Sequence, residues 1–190
     1  KLELFAEEHP AMDAETAKLI RTLREQLDRL TALVRTLLEM SNLQSVSRTD
    51  QIALAPLVEE ILTDLTPLAQ KNNISLQQDC EELGMVGSDA LIYRLVFNLV
   101  ENGIKYNRPG GAVRVTLQQE KQTAVLRVAD TGPGIPADCR ESIFQPFFRV
   151  DKSRSREMGG VGLGLALVRE IAVLHGGSVT VERSSENGTT

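Results

Sequence analysis

A polar pattern inside an apolar stretch of the chain has the residue types and spacing to bind a metal–phosphate group. Asn98 and Asn102 are four residues apart and Lys105 follows three later, so on a helix the three side chains share one face. Amide oxygens can coordinate a hard cation such as Mg²⁺, and a lysine ammonium can meet phosphate oxygens. The alternative is an exposed polar helix face that ends in a lysine.

An Asp–Gly loop, residues 130–135, follows directly after an apolar stretch that alternates like a strand. Asp130 at the end of a strand can accept a hydrogen bond from an exocyclic amine, such as that of adenine. Gly132 and Gly134 would let the backbone approach a flat ring closely. Because Asp, Gly and Pro are also favoured in ordinary turns, this motif alone is compatible with either interpretation.

A glycine-rich stretch, residues 159–165, leads into a predicted helix. Gly160, Gly162 and Gly164 leave backbone N–H groups unobstructed where the helix dipole favours anions, which predicts a phosphate cradle. The stretch is not a P-loop, because no Gly-Lys-Ser/Thr follows the glycines. It is not a dinucleotide-binding turn either, because its glycine spacing differs and no strand directly precedes it.

An aromatic and basic segment, residues 144–156, separates the Asp–Gly loop from the glycine-rich stretch. It begins with Phe144, continues through Phe148 and Arg149, and is basic farther along at Lys152, Arg154 and Arg156. Its position between two candidate ligand loops favours a lid that closes over a triphosphate. A solvated basic surface is the alternative.

Predicted helices and strands would position these motifs in an α+β arrangement, with helices on a mixed sheet rather than strict βαβ alternation. Helices are predicted at 56–71, at 88–106 with Ser88 as a candidate N-cap, and at 163–175, closed by Gly176-Gly177. Alternating residues predict strands at 74–77, 112–118, 123–129 and 178–183.

Residues 14–46 contain no Gly or Pro, and Asp13 is a plausible N-cap for a long helix there. Leucine, isoleucine and valine recur in steps of three and four, which is a heptad seam. A helix of about 30 residues is about 45 Å long and would extend beyond a small domain, so the seam favours a dimeric bundle. The alternative is a helix lying on its own domain. The seam residues are Ile20, Leu23, Leu27, Leu30, Val34 and Leu37, widened by Leu19, Leu33 and Leu38.

Composition excludes some classes of partner. The 190 residues carry a net charge of -5, so neither nucleic acid nor an anionic membrane surface is an expected partner. Cys80 and Cys139 lie outside any metal-binding or redox spacing and are expected to be reduced thiols. No apolar run reaches the ~20 residues of a membrane span, and no signal peptide is evident.

The order and spacing of the four motifs resemble the N, G1, F and G2 boxes of the sensor histidine kinases of two-component systems, which have the Bergerat (GHKL) ATP-binding fold. The resemblance covers about residues 56–190, and the helical part at 1–46 resembles the dimerisation and phosphotransfer hairpin of the family. It implies two domains: a partial hairpin of a dimeric four-helix bundle at 1–48, and an α/β sandwich at 49–190 whose last strand is cut short.

The resemblance also implies an ATP and Mg²⁺ site. Asn98 and Asn102 would hold Mg²⁺, Asn98 and Lys105 would take part in catalysis, and Asp130 would bind the adenine amino group. The implied ATP-binding residues are Asn98, Asn102, Lys105, Tyr106, Asp130, Gly132, Gly134, Ile135, Phe148, Arg149, Gly160, Gly162, Leu163, Gly164 and Leu165.

By the same resemblance, the γ-phosphoryl group would pass to a histidine and then to an aspartate of a response-regulator receiver domain. The kinase would be a homodimer forming the cytoplasmic part of a membrane-anchored sensor. The family's acceptor is a helical His followed by an acidic residue, whereas His9 precedes Pro10 at the apparent hairpin bend. We therefore expect the acceptor to precede Lys1, this chain alone to be inactive in autophosphorylation, and His175 to be structural.

Two other functions stay open on sequence. ATP hydrolases and ATP-gated clamps of the same fold carry a glutamate where this chain has Asn98, which cannot act as a general base. A non-catalytic scaffold with a degenerate pocket is disfavoured by the glycines, both asparagines and Asp130. Gly103 stands where the family more often has Ala, which weakens the helix slightly.

Overall fold

The computed structural model describes residues 13–150 and 162–190, which form a long helix followed by helices packed on a sheet. Helix α1 spans Ala14–Asn42 and continues into a 3-10 turn at Leu43–Ser45. Asp13 caps α1 as predicted, because its carboxylate accepts hydrogen bonds from the backbone N–H groups of Glu15 and Thr16 at 3.0 and 2.9 Å. The first part of the expected hairpin, residues 1–12 with His9 and Pro10, lies outside the described residues.

The main sheet has three strands: β2 (Ser75–Cys80), β4 (Ala112–Glu120) and β5 (Thr123–Asp130). Strand β4 is central and pairs with β2 in parallel and with β5 in antiparallel, so the sheet is mixed as predicted. Its inner face buries Val113, Val115 and Leu117, whereas the alternate residue Arg114 is exposed. The β4–β5 hairpin ends at Asp130, which places that carboxyl at an end of the sheet.

Three helices cover the buried face of the sheet: α2 (Leu54–Lys71), α3 (Asp89–Lys105) and α4 (Gly164–Leu174). Helix α3 packs between α2 and α4. The Tyr93 hydroxyl of α3 donates to Asp64 of α2 at 2.5 Å, and this bond is the main reason that the pKa of Tyr93 rises to about 12. The largest fully buried side chains are Ile61, Ile104, Leu117, Leu167, Ile171, Val58, Val96, Val100, Val113, Val115 and Val168.

Glycine allows α3 to approach the sheet closely at one point. A Cβ on Gly103 would lie 3.1 Å from Cγ2 of Val113 and 3.7 Å from Cβ of Asp130. The weak helix propensity of glycine at this position therefore accompanies tight packing on β4 and beside the Asp130 loop.

The structure differs from the predicted strands in two places. Strands β1 (Asp50–Ala53) and β3 (Gly84–Gly87) form an additional antiparallel pair that was not predicted. The prediction of a strand at 178–183 is wrong. In that range the N–H groups of Glu182 and Arg183 donate to the Thr190 carbonyl, and the strands of this region are β6 (Ser184–Ser185) and β7 (Gly188–Thr189), which pair with each other.

The apolar seam of α1 lies largely in solvent. Exposure of seven of its nine side chains runs from 42% at Leu37 to 62% at Leu30, whereas Leu33 is partly buried and Ile20 is buried at 9%. At its C-terminal end α1 reaches the sandwich, where Met40 packs on the core and Glu39 forms a 3.3 Å ion pair with Arg94 of α3. None of the helices among the described residues has the length and apolar character to cross a membrane.

Candidate functional site

Helix α3 presents the amide oxygen of Asn98 to the beginning of α4. The Asn98 Nδ2 atom donates to the Arg94 carbonyl oxygen at 2.7 Å, which fixes the orientation of the side-chain amide. A Cβ on Gly164 would lie 2.9 Å from Oδ1 of Asn98, so a larger residue at this position would push the amide away. The oxygen of Asn98 and the N–H groups of the first turn of α4, which have no acceptor within the helix, therefore border one small space.

The ammonium of Lys105 is held on the same helix by a residue that the sequence patterns did not single out. Lys105 Nζ lies 2.8 Å from Oε1 of Glu101, and both side chains are partly buried. A glutamate four residues before a lysine is the favourable order for an ion pair on a helix, so the 101–105 spacing could have predicted this pair.

The carboxyl of Asp130 is held by backbone N–H groups in a partly buried position. The N–H of Gly132 donates to Oδ1 at 2.7 Å. Burial raises the pKa of the Asp130 carboxyl, while hydrogen bonds from the N–H groups of Gly132 and Thr189 partly offset this rise. A Cβ on Gly132 would lie 2.8 Å from the same oxygen, so glycine is required beside the carboxyl.

The β6–β7 hairpin borders the Asp130 loop, and the sequence patterns gave no indication of this contact. Ser184 Oγ accepts the N–H of Ile135 at 2.7 Å, and its carbonyl accepts from Arg140 at 2.7 Å. A Cβ on Gly134, whose φ is +79°, would collide with the carbonyl of Ser185. The hydrogen bond from its backbone N–H to Ser184 therefore holds Ile135 beside the β6–β7 hairpin.

A backbone hydrogen bond joins Phe147, in the aromatic and basic segment, to Gly162, in the glycine-rich stretch. The N–H of Phe147 donates to the Gly162 carbonyl at 2.8 Å. Phe147 has φ of 65° and is 56% exposed, whereas Phe148 and Arg149 are partly buried. The Nη2 atom of Arg149 is buried and has no hydrogen-bond partner among residues 13–150 and 162–190. Gly160 and the basic residues Lys152, Arg154 and Arg156 lie outside the described residues.

The beginning of α3 is held by side chains from distant parts of the chain. Ser88 occupies the N-cap position but makes no capping hydrogen bond through its side chain, contrary to prediction. Instead, Ser88 N–H donates to Nε2 of His175 at 3.1 Å, and Asp89 N–H donates to Oδ2 of Asp50 at 3.1 Å. His175 Nδ1 is also engaged, at 2.8 Å from the Ile171 carbonyl, so His175 is structural here.

The structure brings most of the predicted site residues to the ends of α3, α4 and β5. Leu163 is buried at the N-cap of α4, and Gly164 and Leu165 form the first turn of that helix. Tyr106 follows α3 and is 42% exposed, so it is the least enclosed of the set. Within residues 13–150 and 162–190, no group of three or more His, Cys, Asp or Glu side chains could hold a metal ion. A cation at this site would therefore depend on amide oxygens, which suits Mg²⁺.

The chain is similar to known proteins over most of its length. Residues 87–190 match the family described as histidine kinase-, DNA gyrase B-, and HSP90-like ATPase. Sensor histidine kinase RppB from Synechocystis is 38% identical over 180 residues, which are 92% of this chain and 40% of RppB. The chain thus spans about two fifths of that relative.

Two solved structures are similar in fold over nearly the whole chain. Full-length ShkA in complex with AMPPNP has a TM-score of 0.75 at 25% identity, covering 94% of this chain and 38% of ShkA. Histidine kinase ThkA in complex with response regulator protein TrrA has a TM-score of 0.73 at 25% identity, covering 99% of this chain and 54% of ThkA. Together with the α/β sandwich, the Asn98 face and the Asp130 loop, these matches show that the chain belongs to the histidine kinase-, DNA gyrase B- and HSP90-like ATPase family and contains the GHKL-type ATP-binding domain of a sensor histidine kinase.

Proposed function

We propose that this chain is the ATP-binding core of a two-component kinase, which binds Mg-ATP and transfers the γ-phosphoryl group to a histidine for relay to an aspartate of a response regulator. The observation that carries the proposal is the placement of α3. This helix holds Asn98 against the beginning of α4 and, five residues later, Gly103 against Asp130. One rigid element therefore joins a phosphate cradle to a carboxyl suited to adenine.

In this function the Asp130 carboxyl accepts a hydrogen bond from the adenine amino group. Two backbone N–H groups orient it, and its partial burial strengthens a hydrogen bond to a base by excluding water. Tyr106, Gly132, Gly134 and Ile135 shape the space around the base. Their backbone positions next to Asp130 support this role.

At the other end of the site, Leu163, Gly164 and Leu165 offer backbone N–H groups to the phosphates, with Gly160 and Gly162 on the same stretch. Asn98 and Asn102 would hold Mg²⁺, which would supply charge neutralisation at the phosphates. Lys105 exchanges its partner Glu101 for a phosphate oxygen. Phe148 and Arg149 contact the nucleotide from the lid segment. This role is supported by Nη2 of Arg149, a buried donor that has no partner within the described part of the chain and could donate to a phosphate oxygen.

The acceptor is a histidine other than His175. Both ring nitrogens of His175 are hydrogen-bonded to backbone groups, so neither can attack a phosphorus atom without breaking its bond, from Nε2 to the beginning of α3 or from Nδ1 to the Ile171 carbonyl of α4. We expect this chain to be inactive in autophosphorylation by itself and to phosphorylate a histidine supplied in trans.

Transfer to histidine is favoured over hydrolysis because neither Asn98 nor Glu101 of α3 is suited to act as a general base on water. Asn98 cannot take a proton from water, and its Nδ2 is held by the Arg94 carbonyl. The carboxylate of Glu101 is engaged by Lys105 rather than poised as a base.

The exposed seam of α1 supports a homodimer in which a second copy of this helix covers it, within the family's helical hairpin.

Relaying the phosphoryl group requires a receiver domain, and ThkA was solved with a response regulator. The helical surface of α1 is the proposed docking region for the receiver domain. The proposed boundary between the helical hairpin and the ATP-binding domain lies between residues 48 and 49. The net charge of -5 argues against nucleic acid as a partner. By its resemblance to sensor histidine kinases, we propose that the parent protein is membrane-anchored and that its kinase core faces the cytoplasm.

Isothermal titration of the chain with ADP and AMPPNP, with and without Mg²⁺, tests the proposal. We expect micromolar binding, a loss of at least about thirtyfold in Asp130→Ala, and a Mg²⁺-dependent loss in Asn98→Ala. Asp138→Ala, which removes an exposed carboxylate nearby, is the matched control and should bind normally. Absence of binding by the unchanged chain would overturn the proposal. Rapid steady-state hydrolysis that Asn98→Ala removes would establish an ATPase instead.

A further inference from the structure

The side chains of Asn107, in the turn after α3, and Thr131, in the Asp130 loop, form a closed set of hydrogen bonds with each other and with the backbone of Ala112. Asn107 Oδ1 accepts from Thr131 Oγ1 at 3.1 Å, and Thr131 Oγ1 accepts from the N–H of Ala112 at 2.9 Å. Asn107 Nδ2 donates to the Ala112 carbonyl at 2.9 Å, which also accepts the N–H of Thr131 at 3.2 Å. Asn107 Oδ1 receives a second bond from the N–H of Arg108 at 2.9 Å.

The backbone packs closely around these two side chains. A Cβ on Gly111 would lie 2.4 Å from Asn107 Oδ1 and 2.5 Å from Thr131 Oγ1. A Cβ on Gly132 would lie 2.9 Å from the Tyr106 carbonyl. The two glycines therefore let the backbones close around the Asn107–Thr131 pair, and every polar atom of the Asn107 amide has a partner.

The pair lies at the Asp130 end of the nucleotide site. Asn107 is in the turn that follows α3, two residues beyond Lys105, and Thr131 is covalently next to Asp130. We propose that Asn107 and Thr131 are positioning residues that set the place of the Asp130 carboxyl relative to α3 and thereby set the selectivity for adenine over guanine. This inference rests on the proposed function, in which Asp130 binds the adenine amino group.

The physical reason lies in the hydrogen-bond chemistry of the purines. A carboxylate accepts from the exocyclic amine of adenine, whereas guanine presents a carbonyl oxygen at the same ring position and would repel it. That discrimination requires a fixed carboxyl, because a mobile one can turn away from the carbonyl. Neither Asn107 nor Thr131 needs to touch the nucleotide in order to act.

Titration of the chain with ADP and with GDP tests the proposal through the ratio of the two dissociation constants. Thr131→Val removes the hydroxyl at nearly constant size, and Asn107→Asp keeps the Oδ1 acceptor while replacing the amide nitrogen that donates to the Ala112 carbonyl. We expect each to weaken ADP binding about tenfold with little change for GDP. Thr131→Ser, which retains the hydroxyl, should restore the ratio, and the double variant should lose less than the product of the single losses.

Thr66→Val is the matched control, since it removes a hydroxyl that bonds only to the Leu62 carbonyl on α2. A general loss of folded protein lowers the binding-competent fraction but leaves the ADP to GDP ratio unchanged, so the ratio separates positioning from stability. If the unchanged chain binds ADP and Asp130→Ala does not, an unaltered ratio in Thr131→Val and Asn107→Asp overturns this inference alone. Failure of the unchanged chain to bind ADP overturns the proposed function and this inference with it.

Discussion

The Nε2 atom of His175, at the end of α4, accepts the backbone N–H of Ser88 at the beginning of α3, over a distance of 3.1 Å. The ring is packed against the chain here, because a Cβ on Gly87 would lie 2.7 Å from its Cδ2 atom. His175 thus ties together the two helices that border the phosphate cradle.

Replacing this histidine should destabilise the sandwich. His175→Ala leaves the N–H of Ser88 without its acceptor in a buried position, and the expected loss is about 1–3 kcal/mol in the free energy of unfolding. Urea unfolding monitored by circular dichroism measures the change. His175→Gln, which offers a side-chain oxygen, is the conservative comparison and should recover part of the loss. Equal stability of His175→Ala and the unchanged chain would contradict the assigned bond.

The ion pair of Glu101 and Lys105 leads to opposite effects on stability and on binding. Glu101→Gln should cost only about 0.2–0.5 kcal/mol, because the pair lies on a helix surface. Freed from its partner, Lys105 should bind the nucleotide phosphates about two- to threefold more tightly. Titration with AMPPNP at low ionic strength measures this gain, and Glu120→Gln, which removes a partner of Arg127, is the control. Weaker binding in Glu101→Gln would show that the glutamate helps to place the lysine.

The buried carboxyl of Asp130 should give a pH-dependent loss of stability. Because burial raises its pKa in the folded state above the ordinary value of 3.8, folding favours the protonated form. The cost of the buried charge is absent below pH 3.8 and grows until the pH exceeds the raised pKa. Relative to the unchanged chain, Asp130→Asn should therefore become more stable as the pH rises through this window. Urea unfolding of both proteins between pH 3.5 and 7 checks this, and a constant difference would contradict it.

Phe147 adopts a left-handed backbone conformation, with φ of 65°, that is uncommon for a large aromatic residue. Asparagine tolerates this conformation better, so Phe147→Asn should raise stability by about 0.5–1 kcal/mol, since the ring is 56% exposed and contributes little burial. Phe147→Val, a β-branched residue, should lower stability. Thermal unfolding of the two variants measures both effects. Phe148→Asn is the comparison at an adjacent position, and a stabilisation shared by both sites would exclude backbone strain as the cause.

Sequence periodicity predicted the elements whose patterns are local and long enough to read. Helices α2, α3 and α4 and the β4–β5 hairpin were predicted to within a few residues, and Asp13 was correctly expected to cap α1. The shared face of Asn98, Asn102 and Lys105 follows from helical spacing alone. Such features depend on residues within one or two turns, so the sequence contains the information.

Contacts between distant segments could not be predicted in this way. Strands β1 and β3 have four residues each and pair across more than 30 positions, which leaves no alternation to detect. The bonds from Ser88 to His175 and from Asp89 to Asp50 replace a side-chain cap that local rules assigned to Ser88. The approach of Ser184 and Thr189 to the Asp130 loop likewise joins polar residues that carry no periodic signal.

The exposed seam of α1 has a thermodynamic consequence. Apolar side chains that stay in water contribute little to holding a helix together, so α1 is much less stable alone than the sandwich it leads into. If a second copy of the chain covers the seam, as proposed, it stabilises α1 by mass action, and the helix content of residues 14–42 then depends on protein concentration. In that case dilution should melt α1 first and leave α3, the sheet and the nucleotide site intact.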